Sequence, residues 1–187
     1  MRSMRPDKDI SVSTIRIPTV RGSIPALVLS PKAGAKNAAG ILWIHGGGYI
    51  AGMKEMVHMS RAVDLVKRFG TGRSGTPGKT TLPGSSISAE PQRPKCPAYA
   101  APARAQDFAD LPPAYTFVGD GEPFYAETLQ YIENLKRAGI SADVDVYHTD
   151  IHAFDLMRPE LEISRVAAEK FNQAFAYAKE HYFAENL

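Results

Sequence analysis

The chain has 187 residues, of which 22 are Lys or Arg and 20 are Asp or Glu, so its formal net charge is +2. This excess is too small for the clustered basic face that nucleic-acid binding requires, and we expect no nucleic-acid partner. A hydrophobic content of 44% excludes a disordered chain, and no apolar run approaches the ~18 residues of a membrane span. Cys96 is the only cysteine, which excludes an internal disulfide and a multi-cysteine metal site. Because residues 1–9 lack an apolar stretch of the signal-peptide type, we expect a cytoplasmic protein.

Residues 71–97 differ in composition from the sequence on either side. They hold four Gly, five Pro, four Ser and four Thr, which is 17 of 27 positions, and no aromatic residue. The segment carries four basic residues and one acidic residue, so the rest of the chain has 18 basic and 19 acidic residues and a net charge of −1. We predict loop or disordered structure here, and the basic character of the chain is confined to it.

The N-terminal flank predicts strands followed by a helix. Mostly alternating apolar residues over 10–17 and an apolar stretch over 24–29 predict a β-hairpin. The continuous apolar run at 40–44 predicts a short strand buried on both faces. Apolar residues at helical spacing over 56–69 predict a helix, and Gly70 stands where a C-terminal cap is expected.

The C-terminal flank alternates strands with helices. A short apolar strand is predicted at 115–118, followed by a helix that opens at Pro123 and ends at Gly139. Another strand is predicted around 144–146, and a long helix from about 164 to 182. This alternation predicts an α/β fold with a largely parallel sheet and flanking helices.

The sequence His-Gly-Gly-Gly-Tyr at 45–49 directly follows a predicted strand. Consecutive glycines allow a tight turn and leave backbone N–H groups uncovered by side chains, as an oxyanion hole requires. A simple glycine turn is the alternative, but it accounts for neither the preceding strand nor the flanking histidine and tyrosine. The motif consists of the candidate donors Gly47 and Gly48 and the supporting residues His45, Gly46 and Tyr49.

An acid and a histidine follow two predicted strands. Glu122 lies in Gly-Asp-Gly-Glu-Pro-Phe after one strand, and His152 lies in Ile-His-Ala-Phe-Asp after the next. Because the carboxyl ends of parallel strands meet at one edge of a sheet, we expect these side chains to meet there. Taken singly, Glu122 could be an acid favoured by a helix N-terminus and His152 a surface loop residue. The glycine motif favours a catalytic pair instead.

These motifs resemble the hormone-sensitive-lipase-like carboxylesterases of the α/β-hydrolase fold. ILWIHGGGY resembles that family's oxyanion strand and loop, GDGEPFYAET its catalytic-acid segment and DIHAFD its histidine loop, over about 9–70 and 99–182. The resemblance implies a carboxylic ester hydrolase that acts on a small-molecule ester. It implies His152 as the general base and Glu122, by its position before the proline, as the acid that orients it, with Asp120 as the fallback.

The chain departs from this family at the nucleophile. Members carry Gly-x-Ser-x-Gly between the oxyanion loop and the acid, and no such pentapeptide occurs in this chain. Ser74 and Ser86 each have the first glycine but not the second, and neither follows an apolar strand. Cys96 has only Lys95 nearby to activate it, and we predict an inert thiol. No nucleophile is identified, and the alternative function is a catalytically inactive remnant acting as a binding fragment.

The length also departs from the family, whose complete members approach roughly 250–300 residues, the upper end of single-core domains. We interpret 1–187 as one incomplete α/β-hydrolase domain, in which the irregular insert 71–97 separates an N-terminal part at 9–70 from a C-terminal part at 98–187. The central strands and the nucleophile elbow are expected to be missing, which would expose strand edges and permit self-association. Our hypothesis is that 71 to about 96 is out-of-frame or mis-spliced sequence. Coding DNA whose other two frames do not extend the family's pattern beyond Gly70 would contradict it.

Two weaker patterns carry no site. Residues 78–80 end like a phosphate-binding loop, but Arg73 stands where the first glycine belongs. His58, His148 and His181 are scattered without metal-ligand spacing. We therefore expect neither a metal nor a cofactor.

Overall fold

A computed structural model describes residues 4–19, 22–34, 39–47, 52–70, 73–77 and 105–182, with only the backbone described at 73–77. The chain divides into two compact units, residues 1–89 and 90–187, and each has its own sheet. The boundary falls inside the segment 71–97 that composition separates from both flanks. Among the described helices, none is long and apolar enough to cross a membrane.

The first unit is built on a sheet of four strands, β1 (Ile10–Thr19), β2 (Gly22–Pro31), β3 (Gly40–Leu42) and β4 (Arg73–Pro77). Their order in the sheet is β1-β2-β4-β3. The predicted hairpin is confirmed: β1 and β2 pair antiparallel over their whole length, from Ile10 opposite Pro31 to Thr19 opposite Gly22. Strand β4 lies between its neighbours, antiparallel to β2 and parallel to β3.

Strand β4 corrects one expectation. Its residues belong to the segment predicted to be irregular, and at these five positions the prediction is wrong. Ser74 is paired on both sides, opposite Leu29 in β2 and Ile41 in β3. Backbone pairing with two strands distant in sequence stabilises an extended conformation that local composition disfavours, because β-propensity depends strongly on context. Residues 78–97 lie outside the described residues.

Strand β3 is shorter and more exposed than predicted. It covers three residues, and Leu42 and Ile44 are each 68% exposed, so the expectation of a strand buried on both faces is wrong for these side chains. Between them, Trp43 points to the other side and packs against the core of the unit. Successive side chains of an extended chain alternate between faces, and only the face of Trp43 is covered.

The predicted helix at 56–69 is confirmed in two parts. A 3₁₀ helix spans Lys54–Met59 and helix α1 spans Arg61–Phe69. Ser60 separates them, because its Oγ accepts the Ala62 N–H at 3.1 Å as the N-cap of α1. Gly70 ends α1 in the left-handed conformation at φ 62°, as predicted. The buried core of this unit consists of Ile10, Leu27, Leu29, Val57, Ala62, Val63 and Val66.

The second unit contains a parallel pair of strands connected through a helix. Strand β5 (Ala114–Gly119) pairs in parallel with β6 (Ala142–Tyr147), and helix α2 (Tyr125–Arg137) connects them, as predicted. Short helix α3 (Phe154–Met157), which the sequence analysis did not predict, precedes the long predicted helix α4 (Glu162–His181). The buried core cluster here is Ile132, Leu135 and Ala142.

Helix α4 is tied to the sheet by a polar contact. Asp145 of β6 accepts the Lys170 ammonium at 3.0 Å and the Tyr115 hydroxyl at 2.7 Å. The Asp145 hydrogen bond raises the pKa of Lys170 above its usual value. The two bonds join α4, β6 and β5, the elements that precede and follow the site described below.

His58 is a buried titratable group in the first unit. His58 is 8% exposed, and within the described part of the chain its Nδ1 has no hydrogen-bond partner. Burial lowers the pKa of His58 below 6.5, because desolvation penalises the charged ring, while Glu55 acts in the opposite direction. The unfolded chain therefore binds this proton more readily than the folded chain does.

Acidification should consequently destabilise the first unit. The stability that depends on neutral His58 is present above the unfolded-state pKa of 6.5 and is lost as the pH falls through the lower folded-state value. Urea unfolding followed by Trp43 fluorescence, at about pH 8 and about pH 5.5, should show a smaller loss of stability in His58→Gln than in the wild type. His181→Gln, at an exposed position on α4, is the control and should keep the wild-type loss. An equal loss in His58→Gln would show that another group is responsible.

Candidate active site

The candidate site of the second unit lies where β5 and β6 end side by side. The last ladder pair places Gly119 opposite Tyr147. Beyond it, the Asp120 N–H donates to the Tyr147 carbonyl at 2.9 Å and the Gly121 N–H donates to the Thr149 carbonyl at 3.1 Å. The segment after β5 and the segment after β6 therefore continue together past the end of the sheet.

Glu122 and His152 are in contact at this edge, as the sequence predicts. His152 Nδ1 hydrogen-bonds Glu122 Oε2. The Glu122 side chain is 9% exposed, whereas that of His152 is 65% exposed. A carboxylate that accepts from Nδ1 selects the tautomer with the proton on Nδ1, so Nε2 carries the free lone pair. The pair thus combines a largely covered acceptor with an accessible imidazole.

An aromatic ring lies beside the imidazole. The Phe124 ring centroid is 5.2 Å from that of His152, with the two planes tilted by 55°. Phe124 follows Glu122 by two residues, so the segment that supplies the carboxylate also supplies this apolar neighbour. The imidazole therefore has a carboxylate on one side and an apolar ring beside it.

The close approach of the two segments leaves no room for a side chain at one glycine and little room at a second. A Cβ added at Gly119 would lie 2.4 Å from the Thr149 carbonyl oxygen, and one at Gly121 would lie 3.0 Å from the Asp150 Cα and Cβ. A side chain at Gly119 would separate the segments that carry Glu122 and His152, and one at Gly121 would require a small shift of Asp150. The glycines of Gly-Asp-Gly-Glu are thus explained by packing against the neighbouring segment.

Asp120, the fallback acid, has different partners. Its Oδ2 accepts from His148 Nδ1 at 2.8 Å and its Oδ1 accepts the Thr149 N–H at 3.1 Å. The hydrogen bond from His148 lowers the pKa of Asp120, and the same bond raises the pKa of His148. Of the two acids considered, Glu122 is the one that contacts His152.

Ala153 was not singled out by the sequence. It follows His152 directly and adopts φ 52° and ψ 41°, the left-handed conformation that non-glycine residues rarely adopt, and α3 begins at the next residue. Strained backbone of this kind is frequent at functional sites. No periodic pattern could have indicated it, because alanine is compatible with any ordinary loop.

The glycine motif belongs to the first unit and is described there by itself. His45 Nδ1 donates to the Gly46 carbonyl at 2.8 Å, and Gly47 has φ 154°, a conformation that other residues rarely adopt. Gly52 packs against the imidazole, since a Cβ added there would lie 2.1 Å from His45 Cε1. Gly52 was not among the predicted site residues, although a glycine shortly after the motif was a usable signal. Gly48 and Tyr49 lie outside the described residues.

The candidate nucleophiles gain no support. The backbone of Ser74 lies within β4, between two paired strands, and not at a turn between a strand and a helix. Ser86 and Cys96 lie outside the described residues. Within the described ranges, no group of three or more His, Cys, Asp or Glu residues could hold a metal ion.

Comparison with known proteins identifies the fold of this chain. A family model of the α/β hydrolase fold matches residues 80–156, which include both Glu122 and His152 and begin inside the compositionally distinct segment. An esterase of Pyrobaculum calidifontis aligns with a TM-score of 0.70 and 18% identity, over 86% of this chain and 83% of that chain. Esterase LipW of Mycobacterium marinum aligns with a TM-score of 0.72 and 16% identity, over 90% of this chain and 82% of that chain. The chain is a protein of the α/β-hydrolase fold.

At the level of sequence the chain is also similar to an esterase. It is 40% identical over 58 residues to Esterase LipI of Mycobacterium tuberculosis (strain ATCC 25618 / H37Rv). The match covers 31% of this chain and 18% of LipI, so it spans less than a fifth of that curated relative. The solved structures named above are too distant in sequence to establish more than the fold.

The glycine packing makes a prediction about stability. Gly119→Ala should destabilise the second unit by about 1–3 kcal/mol, because the methyl group overlaps the Thr149 backbone. Thermal unfolding followed by circular dichroism measures the loss. Gly40→Ala is the matched control, since a Cβ there meets nothing within 4 Å. Equal melting temperatures for Gly119→Ala and the wild type would contradict the close approach of the two segments.

Proposed function

We propose that this chain derives from a carboxylic ester hydrolase and retains its acid–histidine pair. The observation that carries the proposal is the contact between Glu122, whose side chain is 9% exposed, and the exposed His152 at the end of two parallel strands. The α/β-hydrolase fold and the esterases among its relatives support the same reaction class. The substrate is a small-molecule ester.

His152 acts as the general base in this proposal. Glu122 holds the proton on Nδ1 and leaves Nε2 free to accept a proton from the attacking group. As that proton arrives, the Glu122 carboxylate stabilises the imidazolium that forms. The attacking serine of the family is not identified in this chain. We therefore expect turnover far below that of a complete serine hydrolase.

The backbone N–H groups of Gly47 and Gly48 are proposed to stabilise the oxyanion of the tetrahedral intermediate. Support comes from the described part of the motif, where Gly47 adopts a conformation that favours glycine and His45 closes onto Gly46. Absence of side chains leaves such N–H groups open to a ligand. His45, Gly46 and Tyr49 are proposed to shape this loop.

A second candidate function is a non-catalytic fragment that associates with itself. The observation that favours it is the 68% exposure of Leu42 and Ile44, both on one face of an extended segment. Exposed apolar side chains on a short strand promote association between copies. Such a fragment would sediment faster at higher concentration and would not hydrolyse esters.

Hydrolysis of a short-chain p-nitrophenyl ester tests the proposed function. We expect a slow rate above the buffer rate, because His152 Nε2 can accept a proton from a water molecule that attacks the ester in place of the serine. His152→Ala should lower this residual rate by about tenfold or more, since general base catalysis contributes at least about that much. Glu122→Ala should lower it in the same direction.

His181→Ala is the control, because His181 is also an exposed histidine of the second unit but lies on α4 and has no contact with Asp120 or Glu122 among its hydrogen bonds. It should keep the wild-type rate. Equal losses in His181→Ala and His152→Ala would indicate unspecific catalysis by surface imidazoles. No rate above buffer from a folded, monodisperse sample would contradict the hydrolase and favour the non-catalytic fragment.

A further inference from the structure

Two carboxylate–imidazole pairs connect the same two segments of the second unit. Asp120 pairs with His148, and Glu122 pairs with His152. Between them, the Gly121 N–H donates to the Thr149 carbonyl at 3.1 Å. The three contacts follow one another along the two segments, so the geometry of the Asp120–His148 pair constrains that of the Glu122–His152 pair.

Thr149 is the point at which the histidine segment is held. Its N–H donates to Asp120 Oδ1 at 3.1 Å, its carbonyl accepts from Gly121, and its Oγ1 accepts the Ile151 N–H at 3.2 Å. His152 follows three residues later. The Asp120 carboxylate thus fixes the first residue of a short turn that ends at His152.

The Asp120 carboxylate contributes little to the global stability of the unit. The His148 side chain is fully exposed and that of Asp120 is 37% exposed, and solvent-exposed ion pairs contribute little to stability. A carboxylate that accepts from two donors nevertheless orients both of them, because the two bonds are directional. The contribution of Asp120 is therefore expected in local geometry.

We propose that Asp120 is a positioning residue: by accepting from Thr149 N–H and His148 Nδ1, it holds the histidine segment so that His152 reaches Glu122. This inference rests on the proposed role of the Glu122–His152 pair. Asp120 itself does not contact His152 and exchanges no proton with a substrate. It acts as an outer carboxylate that sets the orientation of a functional imidazole.

The tautomer of His152 reports this positioning without any need for turnover. In the 15N-labelled full chain, two-bond 1H–15N spectra of the imidazole rings distinguish the Nδ1–H from the Nε2–H form. With the ring neutral, we expect wild-type His152 in the Nδ1–H form, because Glu122 accepts from Nδ1. Glu122→Ala should release the ring to the Nε2–H form and provides the reference for a lost contact.

Asp120→Ala should move His152 toward the same released form, with the backbone resonances of β5 and β6 unchanged. Asp120→Asn should keep the Nδ1–H form, because its amide oxygen still accepts from Thr149 and its amide group still bonds His148. Asp150→Ala is the matched control, since it removes a carboxylate from the same segment and keeps the Cβ that packs near Gly121. It should leave the tautomer unchanged.

An unchanged Nδ1–H form in Asp120→Ala would overturn the proposal, as would a change accompanied by general loss of the β5 and β6 resonances. If Asp120→Ala does not fold, His148→Ala decides, because its exposed side chain can be removed without loss of buried contacts. It should shift the tautomer in the same direction, and an unchanged form would overturn the proposal. Wild-type His152 in the Nε2–H form would contradict both this inference and the catalytic pair. Ester hydrolysis that is insensitive to His152→Ala would contradict the proposed function alone.

Discussion

The parallel pairing of β5 and β6 is the constraint on which the candidate site depends. Parallel strands end at the same edge, so the segments that leave them run side by side. Gly119 and Gly121 allow these segments to approach to backbone contact. The hydrogen bonds of Asp120 and Gly121 then extend the ladder beyond the last strand residues. Glu122 and His152 meet because everything before them in the two segments is already in register.

The unequal exposure of the two side chains determines what the pair can do. A carboxylate that is 9% exposed is poorly solvated, and its hydrogen bond to an imidazole is stronger than the same bond in water. The imidazole, at 65% exposure, keeps its other nitrogen accessible to a ligand. If both side chains were exposed, water would compete for their hydrogen bond. If both were buried, the imidazole could not reach a substrate. The Asp120–His148 pair, with both side chains more exposed, lacks this division and is suited to holding a loop.

Helices and strands with a periodic hydrophobic pattern were predictable from the sequence. Contacts that depend on a single residue were not. Hydrophobic spacing located the hairpin, both long helices and the strands around 115–118 and 144–146, and strand order then placed Glu122 beside His152. Exposure of Leu42 was missed because a run of apolar residues does not show which face a neighbour covers. The left-handed Ala153 and the contact of Gly52 with His45 depend on single dihedral angles and distances, which residue type alone does not encode.

Strand β4 shows how far a sheet can override composition. Arg-Ser-Gly-Thr-Pro has low strand propensity, yet it pairs with β2 on one side and β3 on the other. The two neighbours expose backbone donors and acceptors at a fixed spacing, and a chain of almost any side-chain content can satisfy them if it contains no interior proline. Pro77 stands at the last position of β4, where a missing N–H does the least harm. The composition of 71–97 therefore shows only that local strand signals are absent there. The backbone hydrogen-bond donors and acceptors of β2 and β3 determine where a strand forms.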